Sequence, residues 1–584
     1  MSAFSKRLTL FVWALLITLG LAVTQSSPLK LAAAKEPSRD RAPSNHHAHH
    51  AMHLAQATSS QPTATLFENL GNLHHPISTN SKLAQRYFNQ GLTLAYGFNH
   101  AEAARSFQEA AKLDPECAIC YWGVALVLGP NINAPMEPEA VSEAWRSLQR
   151  AIELSKNASE KEKAYIQALA KRYPPQPVED RKSFDLAYAN AMREVAQRYP
   201  DDPDAATLFA EALMDTTPWD YWEEDGTLKP TGKEIIATLE SVLQEYPNHI
   251  GANHLYIHAV EKERPDLGVA SADRLMQLVP SSGHLVHMAS HIYIRVGRYH
   301  DAVLSNQRGI AADNAYAARN QQLEGIYPLA YMPHNHHFLW FAALMTGQSK
   351  VATQAALRTA KVDGKLMRQP EFAGALQHYY TIPMYTYIRF GQWDRILSTA
   401  APAKDLKYPS GVWHYARGRA FAAKGQIKPA IRELKQLRAI AAIPALQETK
   451  IWGFNSTASI LNIASEVLAG EIAAQQKNYQ QAIAHLQTAV KLEDALVYTE
   501  PADWSQPARQ SLGGILLKAR RFPQAEQAYR DDLKIYPENG WSLYGLMQSL
   551  KGQNKQEEAQ VVQKQFEQAW QYADSNLLSD VKYQ

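Results

Sequence analysis

The chain is predicted to be all-α, an α-solenoid of helix–turn–helix repeats, on three observations. Alanine is abundant and β-rich runs are scarce, which favours helices. At 584 residues it exceeds what one core usually organises, so several domains or a repeat array are expected. A spacing of small and aromatic residues recurs over most of residues 80–575, and such self-similarity marks an array in which each unit buries its apolar face against the next.

The first 65 residues stand apart from that pattern. Lys6 and Arg7 precede an apolar run from Leu8 to Val23, short for a spanning helix and suited to an export signal over 1–27. An uncleaved N-terminal anchor is the competing reading, and either one places the protein outside the cytoplasm, in the periplasm or cell envelope. Residues 28–65 are rich in Ala, Ser, Pro, Gln and His, with too few large apolar side chains to fold, and read as a disordered linker. Within it lie His46, His47, His49, His50, Met52 and His53. Imidazole with thioether suits copper, although a solubilising tail would look the same.

Residues 66–584 carry the array. From Phe88 to Pro115, Gly91, Ala103, Phe107, Ala110 and Pro115 fall at fixed intervals. The pattern returns with Gly418, Phe421, Gly425 and Ala430, with Gly470, Tyr479 and Ala482, and with Leu512, Gly513, Leu516, Ala525, Tyr529 and Pro537. Small residues let two helices approach, and the aromatic fills the contact between units. These copies resemble the tetratricopeptide repeat family. The unit at Pro280–Asp313 fits with Gly297, Tyr299 and Ala302, whereas Asn306 and Gly309 depart from the family's packing residues. Insertions at Pro218–Gly232, Asn314–Met332, Ala401–Ser410 and Thr499–Gln506 are expected to form loops over one face. The first of these carries Trp219, Tyr221 and Trp222 beside four acids and reads as an ordered lid.

Histidines recur in register. Aligning Tyr246-Pro247 with Val279-Pro280 superposes His254 and His258 on His287 and His291. Aligning Gly297 with Gly347 places His284 and His287 on His334 and His337, and aligning it with Gly391 places His284 on His378. Resemblance to the family implies that these positions line the concave groove, along with Glu211, Asp215 one turn later, and Arg295, which is placed to hold an anionic group of a ligand. It implies a protein or peptide partner in that groove.

Imidazoles converging from rigid neighbouring helices also make a metal site, with an i,i+4 pair as its simplest clamp. His254, His258, His284, His287, His291, His334 and His337 are the candidate ligands. Two ions are expected, one on His254, His258 and His287 and one on His291, His334 and His337. All-imidazole ligation suits copper, zinc or iron, with copper favoured by the His/Met tail. Leu255 and Met288 stand where a zinc protease motif would have Glu, which rejects that peptidase reading. A metalloenzyme or metal-handling protein is therefore the alternative to an interaction module.

Lys plus Arg number 59 against 57 Asp plus Glu, a net charge of +2, so nothing in the whole-chain balance argues for nucleic acid or an anionic membrane. Cys117 and Cys120 are the only cysteines and sit at the start of a helix opened by Asp114-Pro115, as a redox pair or two packed small residues. No strand precedes them and no His follows Cys120, which excludes thioredoxin-like geometry and c-type haem attachment.

Overall fold

Successive helices pair antiparallel and stack, as in Lys82–Tyr96 with His100–Leu113, Thr457–Gln475 with Tyr479–Asp494, and Ala508–Lys518 with Phe522–Ile535. The computed structural model describes residues 64–319, 323 and 325–574. The fold is an all-α array of tetratricopeptide-like helix pairs; among the described residues the only sheet is a short hairpin, Lys450–Ile451 against Asn455–Ser456. The expected export signal and the histidine-rich linker up to residue 63 lie outside the described residues. Among the described residues no helix is long and apolar enough to cross a membrane.

The recurring glycines explain the stacking. A Cβ on Gly91 would stand 2.7 Å from the ring of Phe107, and Gly123 meets the same ring from the following unit. Gly513 and Gly545 enclose Tyr529 in the same way. In these two units an aromatic is thus clamped between two backbones, whereas Gly418 and Gly470 meet Leu468 and Leu486. The turn inside each pair needs a left-handed residue to end the first helix. Gly297, Gly347, Gly391 and Gly425 supply it, with φ between 63° and 83°. Phe98 holds φ 55° without being glycine, and its ring is put to use below.

Segments from both ends of the array reach its middle repeats. Asn69, from the segment before the first helix, accepts from the Ser281 amide at 3.1 Å. From the other end, Trp541 Nε1 donates to the Leu344 carbonyl at 2.8 Å and Trp570 Nε1 to that of Met345 at 3.1 Å. The loop at 217–226 is ordered as expected: Trp219 and Trp222 donate their indole N–H groups to the carbonyls of Ile132 and Ala259. Cys117 and Cys120 form a disulfide at the start of the Ala118–Val127 helix, and both residues are buried.

Candidate metal centre

Three consecutive first helices carry the histidines. Ile250–Val260 is buried along its whole length, so its polar residues must be satisfied inside the protein. The next first helix is divided at Met288 into Gly283–His287 and Ala289–Arg295. Ser290 Oγ donates to the His287 carbonyl at 2.7 Å and Ser305 Oγ to that of Val286 at 2.9 Å, giving carbonyls at the division side-chain partners. A π-helical turn, Tyr327–Tyr331, leads into the third, Met332–Met345.

The departures at Asn306 and Gly309 now have a cause. A Cβ on Gly309 would lie 2.7 Å from the Gly283 carbonyl oxygen, so its absence lets the Tyr299–Arg319 helix approach the histidine helix. Asn306 is thereby brought to His287, whose Nδ1 donates to its Oδ1 at 2.7 Å. The oxygen is free to accept because the Asn306 amide nitrogen donates to the Ala302 carbonyl.

Every Nδ1 of the two i,i+4 pairs is tied down. That of His254 donates to the Tyr96 carbonyl at 2.5 Å, one of the last-turn carbonyls a helix leaves without an internal partner. His258 and His291 both reach Glu261, at 3.1 and 2.7 Å, and Glu500 stands 2.9 Å from the same His291 nitrogen. With Nδ1 donating, each neutral ring of these pairs carries its lone pair on Nε2. The Nε2 atoms of His254 and His258 face each other at 3.1 Å, and those of His287 and His291 at 3.0 Å. His284 is buried and neither of its ring nitrogens has a hydrogen-bond partner.

Burial, with neighbouring imidazoles adding to it, pushes His254, His258, His284, His287 and His334 well below the usual histidine range, so these rings are neutral and hold free electron pairs. His291 differs. Burial pulls it down too, but Glu261 and Glu500 override this and raise it to about 9. Its proton can then occupy the gap to His287. The His254/His258 pair has no such proton.

Three ring nitrogens from His254, His258 and His284 lie within 4.8 Å of one another, and so do three from His287, His291 and His334. This spatial grouping differs from the expected partition: His287 lies with His291 and His334, His284 lies with His254 and His258, and His337 lies with neither group. Its ring stacks on Trp340 and lies 5.9 Å from His378, whose Nδ1 pairs with the Tyr408 hydroxyl at 2.8 Å. A third group, His258, Glu261 and His291, joins the two sets at the same spacing, and a fourth, His75, Asp202 and Asp204, needs no ion. The Asp204 carboxylate already accepts from His75 at 2.7 Å, His249 at 3.1 Å and the Tyr96 hydroxyl at 2.6 Å.

Of the expected groove contacts, Asp215 and Arg295 are engaged elsewhere. Asp215 accepts from Arg172 at 2.5 Å; burial pushes Asp215 and Glu211 upward against the pull of that guanidinium. Arg295 donates to the carbonyls of Glu261 and Lys262, capping the preceding helix, and lies over Tyr498. The histidines themselves face a filled interior. Phe98 lies 4.5 Å from His254, Trp219 5.1 Å from His258, and Phe338 4.4 Å from His291, all between ring centroids. His334 alone of the six is only part-buried.

Sequence reasoning missed Glu261, Glu500, Asn306, Phe98 and the Tyr96 carbonyl. Glu261 had a signal, since an acid three residues after His258 shares its helical face. Glu500 lies in an insertion that was expected to cover a face, and its target could not be read from spacing.

No family model matches the chain, and no curated protein matches it. Solved structures similar to it include the APC/C hetero-tetramer Cut9–Hcn1, at 12% identity over 80% of this chain and 76% of that one, with a TM-score of 0.28. Others are a human IFIT1 dimer with m7Gppp-AAAA, at 12% identity, 84% and 91% coverage and a TM-score of 0.29, and the P58(IPK) TPR domain, at 11% identity, 81% and 98% coverage and a TM-score of 0.22. At these scores the likeness carries no argument about function. The repeat architecture rests on the chain's own helix packing.

Proposed function

We propose that this is a metal-binding protein, a metalloenzyme or metal handler, that holds two first-row transition ions side by side, one in each three-histidine set. A single observation carries the reading. His254 and His258 both give their Nδ1 protons to fixed acceptors, burial keeps both neutral, and their Nε2 lone pairs are held 3.1 Å apart beside the unpartnered His284. Opposed lone pairs in a buried pocket repel, and a bound cation turns that repulsion into ligation. Fixing Nδ1 to a carbonyl or carboxylate is also how metal-bound imidazoles are oriented. Copper is favoured over zinc or iron by the histidines and Met52 of the tail, while Glu261 stands close enough to His258 and His291 to join them.

The test is elemental analysis of the full chain made without an affinity tag, with His46, His47, His49, His50 and His53 changed to Ala so that the tail cannot contribute. Two ions per chain are expected after equilibration with copper. Folded protein that takes up neither copper, zinc nor iron overturns the reading.

A protein or peptide partner, implied by the repeat resemblance, would dock on another part of the array, because the histidine face is filled. Export to the periplasm or cell envelope is supported by Lys6, Arg7 and the apolar run after them, and by the buried disulfide, a bond that persists in oxidising compartments. Cell fractionation that finds the protein in the cytoplasm would refute it.

A further inference from the structure

The six rings form one cluster rather than two separate sites. Across the boundary, the ring centroids of His258 and His291 lie 5.4 Å apart and those of His284 and His287 5.7 Å. Within the sets the spacings are similar: 4.9 Å for each i,i+4 pair, 5.0 Å for His254 and His284, and 5.6 Å for His291 and His334. His258 and His291 are moreover tied to the same carboxylate by their Nδ1 atoms. Two bound ions would therefore be near neighbours.

Five of the six rings that face them are neutral, His291 having to give up its extra proton to ligate, and all are set among hydrocarbon. Phe98 covers the first set and Phe338 the second, while the Tyr331 ring packs on His284 and its hydroxyl is engaged by Asn133. Two divalent ions would bring four positive charges into this interior, where burial raises Glu261 and lifts Glu500 to about 7 and where Arg295 already faces Glu500. Two Cu(I) ions bring only two. Uncompensated buried charge is costly, so the pocket favours the lower oxidation state. Three soft-to-borderline neutral donors are also a coordination that Cu(I) accepts.

Resting on the copper reading above, we infer that the pair binds dioxygen between two Cu(I) ions. Each Cu(I) gives up one electron and becomes Cu(II). Dioxygen takes both and is reduced to the peroxide level, its O–O bond order falling from two to one without breaking. No proton and no further reductant is required. The electrons stay inside the pocket, so its net charge is unchanged, and the charge balance that favours Cu(I) also tolerates the oxygenated state. Dioxygen is small and apolar, and the aromatic surroundings of Phe98, Tyr331 and Phe338 suit it.

The tail-substituted full chain is loaded under argon and its ions are counted by competition with a chromophoric Cu(I) chelator. Fewer than two tightly held Cu(I) ions would sink the copper reading on which this rests, and the zinc and iron counts then decide the metal reading itself. With two bound, admitting dioxygen should consume one molecule per two copper ions and produce an intense near-ultraviolet charge-transfer band. No Cu(II) paramagnetic signal should appear, because the two spins couple through the bridge. Two bound Cu(I) ions with no dioxygen uptake would overturn this inference alone, as would oxidation to two uncoupled Cu(II) signals. His284→Ala should retain one copper and lose the band; if that variant does not fold, His334→Asn makes the same test from the other set.

Discussion

The His254/His258 and His287/His291 pairs come from one repeat motif used twice, and their surroundings set them apart. Their internal geometry is nearly the same, with Nε2 atoms 3.1 and 3.0 Å apart and ring centroids at 4.9 Å in both. The first pair leans on a backbone carbonyl and one carboxylate, under Phe98 and Trp219. The second leans on an amide oxygen and two carboxylates, beside the part-buried His334. A repeat can thus duplicate a ligand pair while segments from elsewhere give each copy its own electrostatics. The first copy is all neutral; the second holds the one imidazole that Glu261 and Glu500 keep protonated near neutral pH.

That comparison can be broken in stages. The largest effect is expected from His258→Ala combined with His291→Ala, one ligand from each set, which should take the metal content from two ions to none by elemental analysis. Retention of either ion would show that the pairs are not equivalent ligands. Glu261→Gln removes the charge shared by both pairs and should weaken both ions together, by about 10–100-fold in chelator competition. If one ion alone weakens, the carboxylate does not serve both. Asn306→Ala removes an anchor of the second pair only, and about a 10-fold loss confined to one of two ions is expected. Equal losses in both would mean that the sets are coupled. The smallest effect belongs to His337→Ala, which should leave the metal content at two, since its ring faces His378 and Trp340; loss of an ion would restore His337 as a ligand.

The architecture was legible because small and aromatic residues recur for a mechanical reason, visible where Gly91 and Gly123 clamp Phe107. The histidine rows were legible because the same recurrence carried them. The membership of each row was not. His287 and His334 meet across the division at Met288 and the π-helical turn at Tyr327–Tyr331, two local irregularities that a uniform repeat alignment does not contain. Residues that orient the rings were harder still. Tyr96 acts through its carbonyl, which any residue would supply, and Glu500 belongs to a loop far along the chain. The burial of the histidine helices was not legible for a related reason: nearest-neighbour stacking says nothing about segments that arrive from either end of the chain.

That arrival from both ends bears on how the centre is assembled in time. Tyr96 leaves the ribosome early and Glu500 late, and synthesis advances at roughly 5–20 residues per second. For much of that interval the histidine helices exist without their last carboxylate. A repeat array usually tolerates the loss of its end units, because each touches only its neighbours. Here a chain cut before Thr499 would keep all six histidines and still lack the second counter-charge on His291. Maturation of the centre therefore belongs to the finished chain, and C-terminal trimming offers a way to uncouple ligand supply from charge balance.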